Sequence, residues 1–325
     1  MSRRIAVVAS SDANWAWQSL FVLTRSIAFD TGQEIDHHLY LSGSPDPRIL
    51  AAIPGEIRCH RIAALPDYFA QGAQAHVPAA AMLRLLALEE LAPAYERVIY
   101  IDGDVFQSWG SLADLARVRL NGAVLGAVRD AMFWTGASRP FFERYANALS
   151  SGIGQRYFNS GVLVADGAAY ARAQISRRGC DFLRDTPQRC RFGDQSALNA
   201  VVAGSWAELS AGWNWQLSDL VYGLTDGRRP RLIHFTGPLK PWRDGLRLLP
   251  PAAFEAMRVF LGTRGWLDLL GESSPLGFDP RRDERMRTRR LEPFLRDTFA
   301  RRETVKAYLD REDFADLQSG ISGWG

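Results

Sequence analysis

Short strand-like segments alternate with longer amphipathic stretches along most of the chain. The strand-like segments, most of them rich in β-branched or aromatic residues, lie at 5–9, 35–41, 56–62 and 98–101. The stretches at 15–29 and 79–91 place apolar residues at helical spacing, which predicts two amphipathic helices. This order of strands and helices is typical of an α/β domain, in which a mostly parallel sheet carries helices on both sides.

The apolar run at 98–101 ends abruptly in two carboxylates, Asp102 and Asp104, separated by Gly103. The run itself has the composition of a strand buried on both faces of a sheet. Side chains two residues apart in extended chain point the same way, so the two carboxylates can converge on one cation, while Gly103 permits close backbone approach. Carboxylate oxygens suit Mg²⁺ or Mn²⁺. A simple turn that closes the strand is the alternative.

Other polar residues follow predicted strands, where the loops of a doubly wound sheet line a ligand crevice. Asp12 and Asn14 follow the first strand, and Asp130 follows a strand predicted at 122–128. Asp12 and Asn14 could bind a base or ribose, with helix capping as the alternative. Asp130 is either a ligand contact or a strand-end turn residue.

The second half of the chain adds further polar candidates. Asn159 lies at the start of an apolar strand and can donate and accept a hydrogen bond, which suits a sugar hydroxyl. Asp194 and Gln195 open a predicted helix. His234 ends a strand and could supply a third metal ligand, and Lys240, six residues later, could hold a phosphate.

Two more candidates depend on their surroundings. Gly237 permits close backbone approach near the predicted phosphate contact. Arg84 lies within the broad apolar face of the helix at 79–91, so it is either solvated or directed at an anion.

Composition narrows the class of protein. The 325 residues include 47% hydrophobic and 23% charged residues, with a net charge of +3, which is ordinary for a globular protein and disfavours nucleic-acid binding. Three cysteines without a Cys-X-X-Cys motif indicate a reducing compartment. The apolar run at 5–9 is too short for a signal peptide, and no apolar run is long enough to span a membrane. We therefore expect a cytoplasmic protein.

Five motifs, in this order, resemble those of family 8 glycosyltransferases, the metal-dependent retaining enzymes that include bacterial lipopolysaccharide glycosyltransferases and glycogenin. They are the helix with Arg84, Tyr-Ile-Asp-Gly-Asp (100–104), Phe-Asn-Ser-Gly-Val-Leu (158–163), Asp-Gln-Ser-Ala-Leu-Asn (194–199) and His-Phe-Thr-Gly-Pro-Leu-Lys-Pro-Trp (234–242). Each motif is weak alone, but five in order make the resemblance specific. It implies a GT-A fold, a UDP-sugar donor, and Mn²⁺ or Mg²⁺ as the cofactor.

The resemblance also implies a role for each candidate residue. The metal ligands would be Asp102, Asp104 and His234. The nucleotide or its sugar would contact Asp12, Asn14 and Arg84, and the diphosphate would contact Gly237 and Lys240. The transferred sugar would be surrounded by Asp130, Asn159, Asp194 and Gln195.

The implied reaction moves a hexose, glucose or galactose, from UDP to a glycan acceptor such as a lipopolysaccharide or another surface-glycan precursor. Retention through a covalent intermediate would need Asp130 or Asp194 as the nucleophile. Gln195 is a poor nucleophile, so we favour attack on the same face as the departing UDP. The alternatives are a self-glucosylating, glycogenin-like enzyme and a non-catalytic sugar-nucleotide-binding protein. A nucleotide hydrolase would leave the sugar-site residues without a task.

The C-terminal part differs in composition, so we expect a catalytic domain at 1–248 and a helical extension at 249–325. A helix predicted at 250–270 would turn inward the apolar side chains of Phe254, Met257, Phe260 and Leu261. The segment 281–306 has ten basic against five acidic residues, and aromatic residues lie within and after it, Tyr308 among them. Such an element either contacts an anionic membrane peripherally, which would favour a glycolipid acceptor, or packs on the protein.

Overall fold

The computed structural model describes residues 4–72, 79–134, 139–216, 228–236, 251–270 and 302–318. Ten strands lie in these segments: β1 Ile5–Asp12, β2 Ile35–Ser42, β3 Ile57–Ile62, β4 Arg97–Ile101, β5 Val105–Gln107, β6 Leu125–Arg129, β7 Phe158–Asp166, β8 Ala207–Glu208, β9 Trp215–Gln216 and β10 Leu232–His234. The α-helices of the same segments are α1 Ala16–Phe29, α2 Pro47–Ala51, α3 Asp67–Gly72, α4 Ala79–Leu91, α5 Leu112–Ala116, α6 Ala131–Trp134, α7 Arg139–Leu149, α8 Gly167–Arg172, α9 Ile175–Asp185, α10 Asp194–Val202, α11 Pro251–Gly262, α12 Arg302–Leu309 and α13 Ala315–Gln318.

The main sheet has seven strands in the order β3-β2-β1-β4-β7-β6-β8. The prediction of a mostly parallel sheet flanked by helices is confirmed, with one difference: β7 is antiparallel to both of its neighbours, β4 and β6. The amino end of β7 therefore lies at the edge of the sheet where β1, β4 and β6 end. Backbone hydrogen bonds join these ends, from Asp102 N to Gly161 O at 2.8 Å and from Asp130 N to Tyr157 O at 2.9 Å.

Both faces of the central strands are buried, as their continuous apolar composition predicts. Along β1, Val7 and Ala9 pack into one core cluster with α1, whereas Ala6 and Val8 pack into a second cluster with α4. Side chains of successive residues in a strand point to opposite faces, which explains the division. The central strands thus pack between two layers of helices, and the polar residues lie in the loops at the edge of the sheet.

A smaller sheet of β5, β10 and β9 packs beside the end of β4. Strand β10 is antiparallel to β5, with His234 opposite Val105, and parallel to β9, with His234 opposite Gln216. Because Val105 directly follows the Asp-Gly-Asp turn, this register brings His234 to the two carboxylates.

The described helices after residue 248 contribute to the same hydrophobic core as the strands and helices before it. Met257, Phe260 and Leu261 of α11 are buried, as predicted, but the prediction is wrong for Phe254, which is 39% exposed. The buried stripe passes instead through Ala253, at the i−4 position of Met257. The predicted boundary at 248 falls outside the described residues, so the two-part division stays a prediction.

The membrane hypothesis for the basic and aromatic C-terminal segment meets a contrary observation. Tyr308 and Leu309 are buried in the core, and Tyr308 Oη donates to Glu208 Oε1 at 3.2 Å. These two side chains are therefore unavailable to a lipid surface. Residues 271–301, which hold most of the basic segment, lie outside the described residues. No helix in the described ranges is long and apolar enough to cross a membrane.

A buried histidine on β2 makes stability depend on pH. His38 is 2% exposed, and burial, together with His60 and Arg58, lowers its pKa to about 4. Its ring nitrogens lie 2.9 Å from His60 Nε2 and 2.9 Å from Tyr95 Oη. The unfolded chain protonates this residue near its ordinary pKa of about 6.5, and the folded chain only at lower pH. The folded state therefore loses stability as pH falls through this window.

We expect His38 to remove about 2 kcal/mol from the free energy of unfolding between about pH 7.5 and about pH 5. The substitution His38→Gln removes this titration, so the variant should lose less stability over the same interval. Urea unfolding of both proteins at both pH values measures the difference. Equal losses in the two proteins would contradict the assignment.

Candidate functional site

Three candidate metal ligands converge at the end of β4. Ligand atoms of Asp102, Asp104 and His234 all lie within 4.8 Å of one another. His234 Nε2 is 3.2 Å from Asp104 Oδ1 and 4.0 Å from Asp102 Oδ2. The Asp-Gly-Asp turn, closed by a hydrogen bond of 3.1 Å from Val105 N to Asp102 O, presents both carboxylates to the ring.

This donor set fits a divalent cation. The two carboxylates suit Mg²⁺ or Mn²⁺, an imidazole can serve as a third ligand, and three protein ligands would leave coordination positions for substrate oxygens. The neighbouring strand leaves room only because residue 161 is glycine. A Cβ at Gly161 would lie 2.1 Å from His234 Cε1 and 3.0 Å from Asp102 Oδ2.

The second oxygen of Asp102 is fixed by protein donors. Asp102 Oδ1 accepts from Arg84 Nη2 at 2.6 Å and from Tyr100 Oη at 2.9 Å. Tyr100 Oη also lies 3.0 Å from Ser10 Oγ. These contacts orient the carboxylate so that Oδ2 faces His234.

Arg84 joins the candidate metal ligand Asp102 to Asp194 of α10 and Ser160 of β7. It is 7% exposed and bonds two carboxylates, Asp102 and Asp194, as well as Ser160 Oγ at 2.8 Å. Burial alone would lower the pKa of Arg84, but the two carboxylates hold this pKa well above its usual value. Arg84 is thus directed at anions, which here are two carboxylates of the protein itself, and its contact with a nucleotide or sugar stays a prediction.

Asp130, Asn159 and Gln195 form one hydrogen-bonded cluster beside these charges. Asp130 Oδ2 accepts from Asn159 Nδ2 at 3.2 Å and from Gln195 Nε2 at 3.1 Å, and Met132 N donates to Oδ1 at 3.1 Å. Burial raises the pKa of Asp130, and these donors oppose the rise. Gln195 Oε1 in turn accepts from Ser160 N at 3.0 Å. Each group is therefore oriented before any substrate arrives.

Asp194 shows how local sequence and tertiary contact compete. It is the first residue of α10, and the helix has Gly193 at its N-cap position without a side-chain cap. Its carboxylate is directed at Arg84 instead. Burial raises the pKa of Asp194, while Arg84 opposes the rise. Asp194 therefore opens the helix, as predicted, while its side chain pairs with Arg84 and does not cap the helix.

The remaining candidates are less closely joined to the cluster. Asp12 is the last residue of β1, and its Oδ1 accepts from Asn14 N at 2.9 Å, so helix capping, the alternative given for Asp12, is observed. A Cβ at Gly103 would lie 2.9 Å from Ser19 Oγ, so this glycine permits packing against α1. Gly237 and Lys240 lie outside the described residues.

The sequence analysis missed three residues that contact candidate residues of the site: Tyr100, Ser160 and Asn214. Tyr100 and Ser160 lie within the motifs already identified, and each bonds a candidate residue directly. Asn214 lies between two tryptophans in a segment without a distinguishing pattern. Its Oδ1 is 3.0 Å from His234 Nδ1, and its Nδ2 donates to Asn159 Oδ1 at 2.9 Å.

Comparison with known proteins identifies a family and several relatives. The model of glycosyl transferase family 8 matches residues 63–245. The lipopolysaccharide 1,2-glucosyltransferase of Escherichia coli K12 is 30% identical over 170 residues, which cover 49% of this chain and 48% of the relative. The lipopolysaccharide 1,3-galactosyltransferase of Salmonella typhimurium LT2 is 25% identical over 198 residues, covering 58% and 55%. The chain thus spans about half the length of these two relatives.

Solved structures show the same fold at lower identity. The galactosyltransferase LgtC, solved with donor and acceptor sugar analogs, superposes with a TM-score of 0.61 at 24% identity, covering 80% of this chain and 95% of that one. The apo structure of the bifunctional glycosyltransferase WbbM gives a TM-score of 0.63 at 18% identity, covering 83% and 51%. These likenesses confirm the predicted GT-A fold.

The family match covers more than half of the chain and includes Arg84, the Asp-Gly-Asp turn, Asp194 and His234. The geometry described above brings these same residues to one edge of the sheet. The chain belongs to glycosyl transferase family 8.

Proposed function

We propose that the protein is a retaining glycosyltransferase that moves a hexose, glucose or galactose, from a UDP-sugar to a glycan acceptor such as a surface-glycan precursor. The observation that carries the proposal is the convergence of Asp102, Asp104 and His234 within 4.8 Å. Beside them lies a buried cluster of polar groups suited to a sugar. The two lipopolysaccharide relatives, one a glucosyltransferase and the other a galactosyltransferase, support the choice of a hexose and of a glycan acceptor.

In this proposal Asp102, Asp104 and His234 hold Mn²⁺ or Mg²⁺, which when bound supplies Lewis-acid stabilisation of the UDP leaving group. Arg84 balances the charge of Asp102 and Asp194, and its Nε has no hydrogen-bond partner among the described side chains. Lys240 and Gly237 contact the diphosphate, and Asp12 and Asn14 contact the nucleoside. The proposed location is the cytoplasm, which suits the free thiols of Cys59, Cys180 and Cys190.

The contacts of the two buried carboxylates favour attack on the same face as the leaving group. Asp194 is ion-paired with Arg84, and Asp130 Oδ2 already accepts two hydrogen bonds, from Asn159 and Gln195. Neither carboxylate is poised as a nucleophile. The bond from the anomeric carbon to the diphosphate oxygen breaks, and its electron pair leaves with UDP. An acceptor hydroxyl oxygen then bonds the anomeric carbon from the same face, and its proton passes to the departing phosphate oxygen.

Self-glycosylation on a tyrosine receives no support from the described part of the chain. Every tyrosine in it is buried or half-buried. Tyr68, one of the half-buried ones, donates its hydroxyl to Arg177 O at 2.7 Å. Tyr222 lies outside the described residues, and intact mass measurement after incubation with UDP-sugars tests it directly.

The proposal predicts metal-dependent release of UDP. The protein is incubated with a panel of UDP-sugars and glycolipid acceptor fractions, with Mn²⁺ or with EDTA, and UDP is measured. We expect release from one UDP-hexose that EDTA abolishes. The substitution Asp104→Ala should lower the rate about 10²–10³-fold, because transition-state charge on the leaving group loses its stabilisation.

A matched control is Asp185→Ala, which removes an aspartate that is 62% exposed and pairs only with Arg184 among the described ion pairs. This variant should retain the wild-type rate. Tight UDP binding without release from any sugar, with every acceptor fraction, would favour the non-catalytic binding protein instead. Release that EDTA does not change would contradict the metal site.

A further inference from the structure

We propose that Asn214 is a positioning residue that keeps a proton on His234 Nδ1 and thereby leaves Nε2 as the metal ligand. The inference rests on the proposed metal site and goes beyond it, because it assigns a task to a residue outside the predicted ligand set. Asn214 also connects the proposed metal site, through Asn159, to the carboxylate of Asp130.

The direction of each hydrogen bond in this chain of amides follows from one backbone donor. Gly161 N–H, which can only donate, bonds Asn159 Oδ1 at 3.0 Å. This fixes the amide orientation of Asn159, so its Nδ2 faces Asp130 Oδ2, an acceptor. The same Asn159 oxygen accepts from Asn214 Nδ2 at 2.9 Å, which leaves Asn214 Oδ1 facing His234 Nδ1.

The oxygen of Asn214 can only accept, so His234 Nδ1 must carry a proton to bond it at 3.0 Å. The opposite tautomer would turn two lone pairs toward each other at that distance. A metal-bound histidine commonly has its other ring nitrogen held by such a partner, which fixes both the tautomer and the ring orientation. Nε2 is the nitrogen that faces Asp102 and Asp104.

These hydrogen bonds lie in the protein interior, where losing one is costly. Asn214 is fully buried, Asn159 is 7% exposed and His234 is 5% exposed, so water cannot easily replace a lost partner. An unsatisfied polar group in such surroundings is costly, and this cost keeps the amides in one orientation.

The segment that carries Asn214 is itself anchored at both ends. Before it, Asp316 of α13 accepts from Ser210 N at 3.0 Å and from Trp213 Nε1 at 3.1 Å. After it, Gln216 Oε1 accepts from Ala131 N at 2.8 Å. These anchors hold the Asn214 amide against His234, so the position of the amide does not depend on a bound ion.

The test compares wild type with Asn214→Leu and Asn214→Asp. Long-range ¹H–¹⁵N spectra of the histidines in the metal-free proteins report which ring nitrogens carry a proton. The His234 signals are assigned by their loss in His234→Gln. We expect a proton on Nδ1 in wild type and in Asn214→Asp, which keeps an acceptor, whether or not Nε2 also carries a proton toward Asp104. In Asn214→Leu we expect a proton only on Nε2, donated to Asp104.

Mn²⁺ affinity, measured by electron paramagnetic resonance of the free ion, is the second readout. Asn214→Leu should bind Mn²⁺ about 10–100-fold more weakly, and Asn214→Asp should recover part of the loss. An unchanged tautomer in Asn214→Leu, or equal Mn²⁺ affinity in the wild type and this variant, would overturn the inference. Absence of Mn²⁺ binding by wild type would overturn the proposed function, while the tautomer measurement would still decide the role of Asn214.

Discussion

Replacing Arg84 with methionine is expected to lower the free energy of unfolding by about 3–5 kcal/mol, because it leaves a buried charge unpaired. The guanidinium is buried between Asp102 and Asp194, and it also donates to Ser160 Oγ. Without it, Asp194, which is 6% exposed, loses its only ion-pair partner among the described residues. Transfer activity should also fall about 10³-fold, because Asp102 loses a donor that orients it toward the cation.

Two further variants separate the effect of the positive charge of Arg84 from the effect of its planar guanidinium group. Arg84→Lys keeps a positive charge but cannot present a planar fork to two carboxylates, so it should restore part of the stability and little activity. Adding Asp194→Asn to Arg84→Met removes the unpaired charge, and stability should recover while activity does not. Urea unfolding and UDP release measure the two effects. If Arg84→Met alone had wild-type stability, the ion pairs of Arg84 with Asp102 and Asp194 would contribute no net free energy to folding.

The parts of the fold that follow from local composition could be predicted from the sequence. The helix at 79–91 has the predicted bounds, since apolar residues cover its broad buried face and Pro93 follows its end. The run at 98–101 is buried on both faces, as predicted. Asp102 and Asp104 do converge, as predicted, but the extended chain assumed for them is wrong, because β4 ends at Ile101 and a turn closed by the bond from Val105 N to Asp102 O brings the two carboxylates together.

Features that depend on contacts between distant segments could not be predicted. The antiparallel direction of β7 leaves no mark on its composition, since a strand buried on both faces has the same apolar run in either direction. The partners of Arg84 come from two other elements, and Asn214 has no motif of its own. The exposure of Phe254 depends on which side of α11 meets the core.

Replacing Gly161 with alanine is expected to abolish the proposed metal site while leaving the protein folded. The added Cβ would lie 2.1 Å from Cε1 and 2.5 Å from Nδ1 of His234, and 3.0 Å from Asp102 Oδ2. The ring cannot move aside without breaking its bond to Asn214, and the strand cannot shift without breaking the bond from Asp102 N to Gly161 O. Overpacking of this kind costs about 1–3 kcal/mol of stability. Mn²⁺ binding should weaken at least about 100-fold, because both a ligand and its positioning partner are displaced.

The matched control is Gly126→Ala, on the neighbouring strand β6. A Cβ there would lie 2.9 Å from Leu120 Cδ2 and 3.0 Å from Val164 Cγ1, and these methyl groups are not ligands of the site. This variant should lose a similar amount of stability and retain Mn²⁺ affinity. Calorimetric titration with Mn²⁺, with urea unfolding of each variant, measures the two effects separately.

Retention of wild-type Mn²⁺ affinity by Gly161→Ala would show that the cation is held elsewhere. A parallel loss of affinity in both variants would trace the effect to general destabilisation of the sheet. Loss confined to Gly161→Ala would instead locate the cation between His234 and Asp102, because this substitution alone adds an atom within contact distance of both ligands.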